Sequence, residues 1–165
     1  MRTLYFCRHA KSSWAHPGMA DFDRPLNDRG LRNAPMMARK FKERRERVYL
    51  IVSSPAVRAF TTAKFFTTEL NIHDQLFRTD PRIYEASTRT LLQVVNELPI
   101  EAASVMLFGH NPGFSEIVAE LTGSFAGELP TCAIARIDLP IEKWEFASRS
   151  SGSLIWLDYP KRYEV

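Results

Sequence analysis

The sequence predicts an α/β sandwich in three layers, a mostly parallel central sheet with helices on both faces. Three observations predict it. Residues 3–7, 48–52 and 104–108 are continuous apolar runs rich in strand formers, as expected of strands buried on both faces. Each run ends in a polar, turn-forming stretch, and helix-periodic sequence follows. The chain has 165 residues with 45% apolar side chains, enough for one domain over 1–165 that buries roughly 70% of its extended surface.

The elements follow in order. After the first strand, a polar segment runs from His16-Pro17-Gly18 to Asn27-Asp28-Arg29-Gly30. Asn27 suits a helix N-cap, and the helix it starts is expected to reach about Arg47 with a kink at Pro35. The second strand, 48–52, stops at Ser53-Ser54-Pro55. Ser54 as N-cap and Pro55 at the first helical position predict a helix start there, and Ala56, Phe60, Ala63, Phe66 and Leu70 keep helical spacing. A third helix is expected within 83–98, starting near Ser87. The third strand, 104–108, runs into Gly109-His110-Asn111-Pro112-Gly113 and a helix to about Leu121. Residues 133–139 alternate and read as a strand, and 154–159 as a last one. No helix separates these two, so they are expected to pair antiparallel. The order is β-α-β-α-α-β-α-β-β.

Composition excludes several classes. Lys plus Arg number 22 against 19 for Asp plus Glu, a surplus too small to indicate nucleic acid by itself. The basic run Arg39 to Arg47 reads as a solvated helix face, favoured at a helix C-terminus. Cys7 and Cys132 are the only cysteines and form no CxxC pair, which excludes a disulfide scaffold and a four-thiolate zinc site. They read as buried free thiols in a reducing compartment. No apolar run approaches the ~20 residues of a membrane span, and the N-terminus lacks signal-peptide form. The expected location is cytoplasmic, with no nucleic-acid or membrane partner.

Function is legible at the strand ends. Arg8-His9 follows the first strand, Arg58 lies in the first turn after the second, and His110 follows the third. If the three strands are parallel, these side chains share one carboxyl edge, where open α/β sheets bind ligands. Arginine forks suit phosphate oxygens. The core set contains no carboxylate for a hard cation, and two histidines beside arginines are a poor zinc site. The pocket is expected to hold a multiply charged anion without metal or cofactor. Lys11 and Ser12 are candidates to touch a bound phosphate, and Asn111 either donates to substrate or serves the turn before Pro112. His16 and His73 have no partner set. Trp14 is placed at the pocket rim, and Trp144 and Trp156 in the core or on the sheet. A cysteine phosphatase needs Arg six positions after Cys, where Cys7 and Cys132 have Ser13 and Asp138. No Walker-type loop is present.

These motifs resemble the histidine phosphatase superfamily, the phosphoglycerate-mutase-like family. Its Arg-His-Gly hallmark is Arg8-His9-Ala10 here, with alanine for glycine. Its Ser-Ser-Pro-x-x-Arg segment is Ser53-Ser54-Pro55-Ala56-Val57-Arg58, followed by Thr62-Ala63, and its late Gly-His is Gly109-His110. The short length, the Gly-His-Asn-Pro-Gly form and Asp23-Arg24-Pro25-Leu26 before Asp28-Arg29-Gly30 resemble the SixA-type phosphohistidine phosphatases. The resemblance implies a phosphoglycerate-mutase-like fold and no metal. His9 would be the phospho-accepting nucleophile, with Arg8, Arg58 and His110 as the phosphate pocket. The expected activity is dephosphorylation of phosphohistidine on a partner protein. A small phosphate ester as substrate, and a non-catalytic phosphate- or phosphoprotein-binding module, are the alternatives. Larger members carry an acidic proton donor, for which Glu85 is the nearest candidate. An imidazole leaving group has less need of one than an alkoxide.

Overall fold

The computed structural model describes residues 1–164. Strand β1 is Arg2–Arg8, followed by helix α1 at Asp28–Glu43, strand β2 at Leu50–Ser53 and helix α2 at Val57–Glu69. Strand β3 is Phe77–Thr79, helix α3 Thr88–Asn96, strand β4 Ser104–Gly109 and helix α4 Gly113–Thr122. Strands β5, Ile134–Leu139, and β6, Ser153–Asp158, complete a six-stranded sheet in the order β3-β2-β4-β1-β5-β6. β1, β2, β3 and β4 are mutually parallel, whereas β5 runs against both β1 and β6. The expected fold class and the antiparallel final pair are both observed.

Alternation along the buried strands builds two cores. Leu4 and Phe6 of β1, Leu50 and Val52 of β2, and Val105 and Leu107 of β4 face α3 and α4. Tyr5, Cys7, Ile51, Met106 and Phe108 face α1 and α2 instead. Both faces of the central strands are therefore apolar, as the unbroken hydrophobic runs require. The carboxyl ends of β2, β4 and β1, adjacent and parallel, share one edge of the sheet, where open α/β sheets bind ligands.

Several boundaries differ from expectation. α1 takes Asn27 as N-cap, its side chain accepting from the Gly30 N–H, but it stops at Glu43, four residues early. Arg45 is left-handed at φ 56°, which a continuing helix excludes. Arg44 is no solvated residue: it stacks 3.9 Å from the Trp156 ring and pairs with Asp158 at 3.4 Å. Pro35 lies inside α1 as expected. Ser87 caps α3 by accepting from the Thr90 N–H. β2 begins two residues late, after exposed Tyr49. β3 was not expected at all. It is three residues on the sheet edge, none fully buried, so it lacks a buried strand's apolar signature.

Gly30 sets how closely α1 approaches the active edge. A Cβ at this position would overlap the Lys11 carbonyl in the loop after His9. The Asn27 N–H donates to that same carbonyl at 3.0 Å. Gly30→Ala is expected to destabilise the protein by about 1–3 kcal/mol, despite the roughly 1 kcal/mol that alanine contributes in a helix. Urea unfolding of the variant measures it; unchanged or raised stability would show that the loop yields freely.

Candidate active site

Strand register brings the two histidines together. Arg8 of β1 pairs with Gly109 of β4, so the next residues, His9 and His110, leave adjacent parallel strands side by side. The His9 N–H donates to the Gly109 carbonyl at 3.0 Å, and the imidazole centroids stand 5.2 Å apart. β2 is in register with β4 through Ser53 and Phe108, which places Ser54 beside Gly109. Its Oγ lies 2.7 Å from His110 Nε2.

The helix start expected at Ser54 and Pro55 lies further along. α2 starts at Val57 after Ala56, whose side chain makes no capping bond. Ser54 Oγ accepts from the Ala56 N–H at 3.2 Å while its hydroxyl meets His110. Pro55 precedes the helix. The Thr62-Ala63 pair has a clear role too: Thr62 Oγ1 donates to the Arg58 carbonyl at 2.7 Å and accepts from the Ala10 N–H at 3.0 Å. It ties the loop after His9 to the helix that carries Arg58. Ala10 is fully buried there, so alanine in place of the family's glycine fits.

His9 Nδ1 lies 2.7 Å from the Ala10 carbonyl. A carbonyl only accepts, so Nδ1 carries the proton and Nε2 keeps a lone pair. Burial, with added repulsion from His110, Arg58 and Arg8, pushes this imidazole down to about 3. Burial also pushes His110 down to about 4, reinforced by Arg58. Both rings are neutral at pH 7. Around them, Arg8 Nε, Arg58 Nε and His110 Nδ1 are buried atoms with no protein hydrogen-bond partner. The Ser54 hydroxyl, which accepts from the Ala56 N–H, donates to His110 Nε2, so His110 Nδ1 carries the proton and all three atoms are donors. Buried donors without partners are costly unless a ligand satisfies them, and an oxyanion would.

Each arginine is anchored through terminal guanidinium nitrogens, Arg8 by one and Arg58 by both. Arg8 Nη1 donates to the Leu129 carbonyl at 2.9 Å. Arg58 donates through Nη1 to the Asp21 carbonyl at 2.7 Å and through Nη2 to Asp21 Oδ2 at 2.9 Å. Asp21 also accepts from the Tyr84 hydroxyl at 2.6 Å and from Arg24 Nε at 3.1 Å. The Tyr84 bond first, then Arg58 and Arg24, hold its carboxyl well below the usual range. Asp21, Arg24 and Tyr84 were not singled out for the site from sequence. For Asp21 and Arg24 the signal was the 18-residue connection from His9 to Leu26, which contains a short 3-10 turn at Asp21–Asp23 and one bridge between Ser12 and Leu26; loops so long are usually functional. Tyr84, before α3, carried no such signal.

The other candidates separate. Ser12 is buried and accepts from Arg24 Nη1 at 2.8 Å. Asn111 is tied to protein partners. Its side chain accepts from Ser115 and donates to the Leu129 carbonyl, so both ends are committed. Lys11 is exposed on the Arg8 side. Glu85, left-handed at φ 53°, lines a cleft of about 500 Å³ with Asp21, Arg58 and His110. Trp14 stacks on Arg24 at 3.6 Å, Trp144 is buried, Trp156 half-buried, and His16 and His73 are exposed. Cys7 and Cys132 are free and buried. Among the described residues, no cluster of three His, Cys, Asp or Glu side chains could hold a metal ion. Among the described residues, no helix is long and apolar enough to cross a membrane.

The depressed imidazoles make stability pH-dependent. Unfolded histidines take up protons near 6.5, whereas folded His110 and His9 wait until about 4 and about 3. Stability is therefore full above about pH 6.5 and falls as pH drops from there toward 4. Asp21 enters only below about pH 4. Urea midpoints between pH 7 and 4 are expected to decline, less steeply in His9→Gln; an unchanged slope would refute the assignment.

Residues 4–119 match the profile of the histidine phosphatase superfamily (branch 1). A chloroplastic protein of Arabidopsis thaliana, itself uncharacterized, is 29% identical over 94% of this chain and 74% of its own length. An uncharacterized protein of Mycobacterium leprae is 25% identical over 93% of this chain and 99% of its own. Among solved structures, an Agrobacterium tumefaciens protein provisionally assigned as the phosphohistidine phosphatase SixA superposes with a TM-score of 0.80. It is 29% identical and covers 96% of this chain and 98% of its own. A protein histidine phosphatase SixA in complex with tungstate gives a TM-score of 0.79 at 23% identity, over 98% of this chain and 99% of its own.

Proposed function

The chain belongs to the histidine phosphatase superfamily (branch 1) and resembles its SixA-type members along most of its length, and from that premise we propose that it hydrolyses phosphohistidine on a partner protein without a metal, through a phosphoryl group carried on His9. The observation that carries this reading is the locked Nδ1 proton of His9 beside three orphaned donors.

The chemistry follows from that proton. His9 Nε2 attacks phosphorus, the new P–N bond forms, and the bond to the substrate's ring nitrogen breaks. The departing imidazole keeps a proton on its other nitrogen and leaves neutral. Because the Ala10 carbonyl holds the proton on His9 Nδ1, phosphoryl-His9 is an imidazolium, itself a good leaving group. Water then attacks phosphorus, neutral His9 is regenerated, and dihydrogen phosphate departs. Arg8, Arg58 and His110 hold the equatorial oxygens as charge spreads over them. No step requires an acid for an alkoxide. We place this activity in the cytoplasm, in keeping with the two free buried thiols.

A small phosphate ester is the second reading, favoured by Glu85 at the mouth of the His110 cleft, where it could protonate an alkoxide. Phosphate release from a phosphohistidine peptide and from p-nitrophenyl phosphate, both with EDTA, tests the two. Peptide turnover well above ester turnover is expected. A preference for the ester that Glu85→Gln removes would establish the second reading, and no turnover of either would leave a phosphate-binding module.

A further inference from the structure

The two sides of the histidine pair differ sharply in charge. On the Arg58 side, the cleft is lined by the carboxylates Asp21, Glu85 and Glu116. On the other side a groove of about 330 Å³ opens beside Arg8, lined by Lys11 and Arg29, by Lys161, and by the neutral Asn33 and Tyr159 among others. None of its lining residues is acidic, though the charge of Glu128 acts on Arg8. Among the described residues, only Arg29 of these four cations has a carboxylate partner, Glu164 at 3.2 Å on the exposed surface. Arg8 belongs to both places. It lines the groove, and its charge is felt by both His9 and His110.

From this asymmetry we propose that the substrate carries a second anionic group next to its phosphoryl group, held in the groove by Lys11, Arg29 and Lys161. The inference rests on the phosphoryl site proposed above and adds a direction to it. A second negative charge is attracted on the Arg8 side and repelled on the other by Glu85 and Glu116, Asp21 being paired with Arg58 and Arg24. Only one orientation of a doubly anionic substrate therefore fits. The groove is open and its lysines are exposed, so each contact is weak alone; together they are expected to change KM about tenfold. Flanking Asp or Glu on a phosphoprotein and a second acidic group on a small ester offer the same chemistry.

Two substrate pairs test it. The first is a phosphohistidine peptide with flanking Glu, against its Gln counterpart. The second is 4-carboxyphenyl phosphate against phenyl phosphate. Wild type is expected to prefer the anionic member about tenfold in kcat/KM through KM, with the preference fading at high salt. The Arg29→Glu/Lys161→Glu double variant should reverse it; Arg29→Gln/Lys161→Gln, which should abolish it, serves if charge reversal impairs folding. A preference in one pair only identifies the source of the second anion. If the peptides are not turned over but the carboxylated ester is still preferred, the phosphohistidine reading fails while the groove assignment stands. Equal kcat/KM within both pairs, or a preference that survives the double variant, overturns the proposal.

Discussion

Replacing His9 with alanine is expected to lower turnover by at least about 10⁴-fold on any phosphorylated substrate, as loss of a covalent nucleophile does. The fold should survive, because the His9 backbone, not its ring, makes the bond to Gly109. The deletion also removes a buried imidazole that is not charged at pH 7, so no unpaired charge is left behind. Rapid quench in alkaline detergent after mixing with radiolabelled substrate should capture a phosphoryl group that is alkali-stable and acid-labile in wild type and absent in the variant. Retained turnover in His9→Ala would falsify the nucleophile assignment. Between pH 5 and 8 the wild-type rate should show no acid limb from His9, since burial holds its titration near about 3.

Arg58→Lys should be nearly as damaging as Arg58→Ala, about 10²–10³-fold in kcat/KM. The reason is geometric. Both terminal nitrogens of Arg58 are taken by Asp21, and the orphaned Nε is the nitrogen left for an oxyanion. A lysine ammonium is a single point donor and cannot hold Asp21 and the oxyanion in fixed directions at once. Asp21→Asn tests the same arrangement from the other side. It keeps an acceptor for Arg58 but loses the charge, so a smaller loss than Arg58→Lys is expected. Full activity in Arg58→Lys would show that only positive charge matters at this position.

Much of the molecule was legible because the signals were local. Continuous apolar runs marked β1, β2 and β4, and side-chain caps at Asn27 and Ser87 fixed two helix starts. The helix after Ser54 starts two residues later than expected, at Val57, while the Ser54 Oγ accepts from the Ala56 N–H and its hydroxyl also serves buried His110. β3 was missed because three half-exposed edge residues carry no periodicity. The basic run after α1 looked uniform, yet Arg44 is drawn inward by Trp156 and Asp158, which come from the far end of the chain.

The sequence by itself determined the fold class and placed Arg8, His9, Arg58 and His110 at one carboxyl edge, because each follows a buried strand and the three strands are parallel. Only the tertiary structure decided how those residues are held. Asp21 reaches Arg58 from 37 residues away and Tyr84 reaches Asp21 from 63. Likewise, Lys161 meets Lys11 across one groove only because the chain's end returns beside its first strand. Such long-range contacts leave no spacing in the sequence. They depend on strand order and register, which place distant residues together only once the whole sheet has formed.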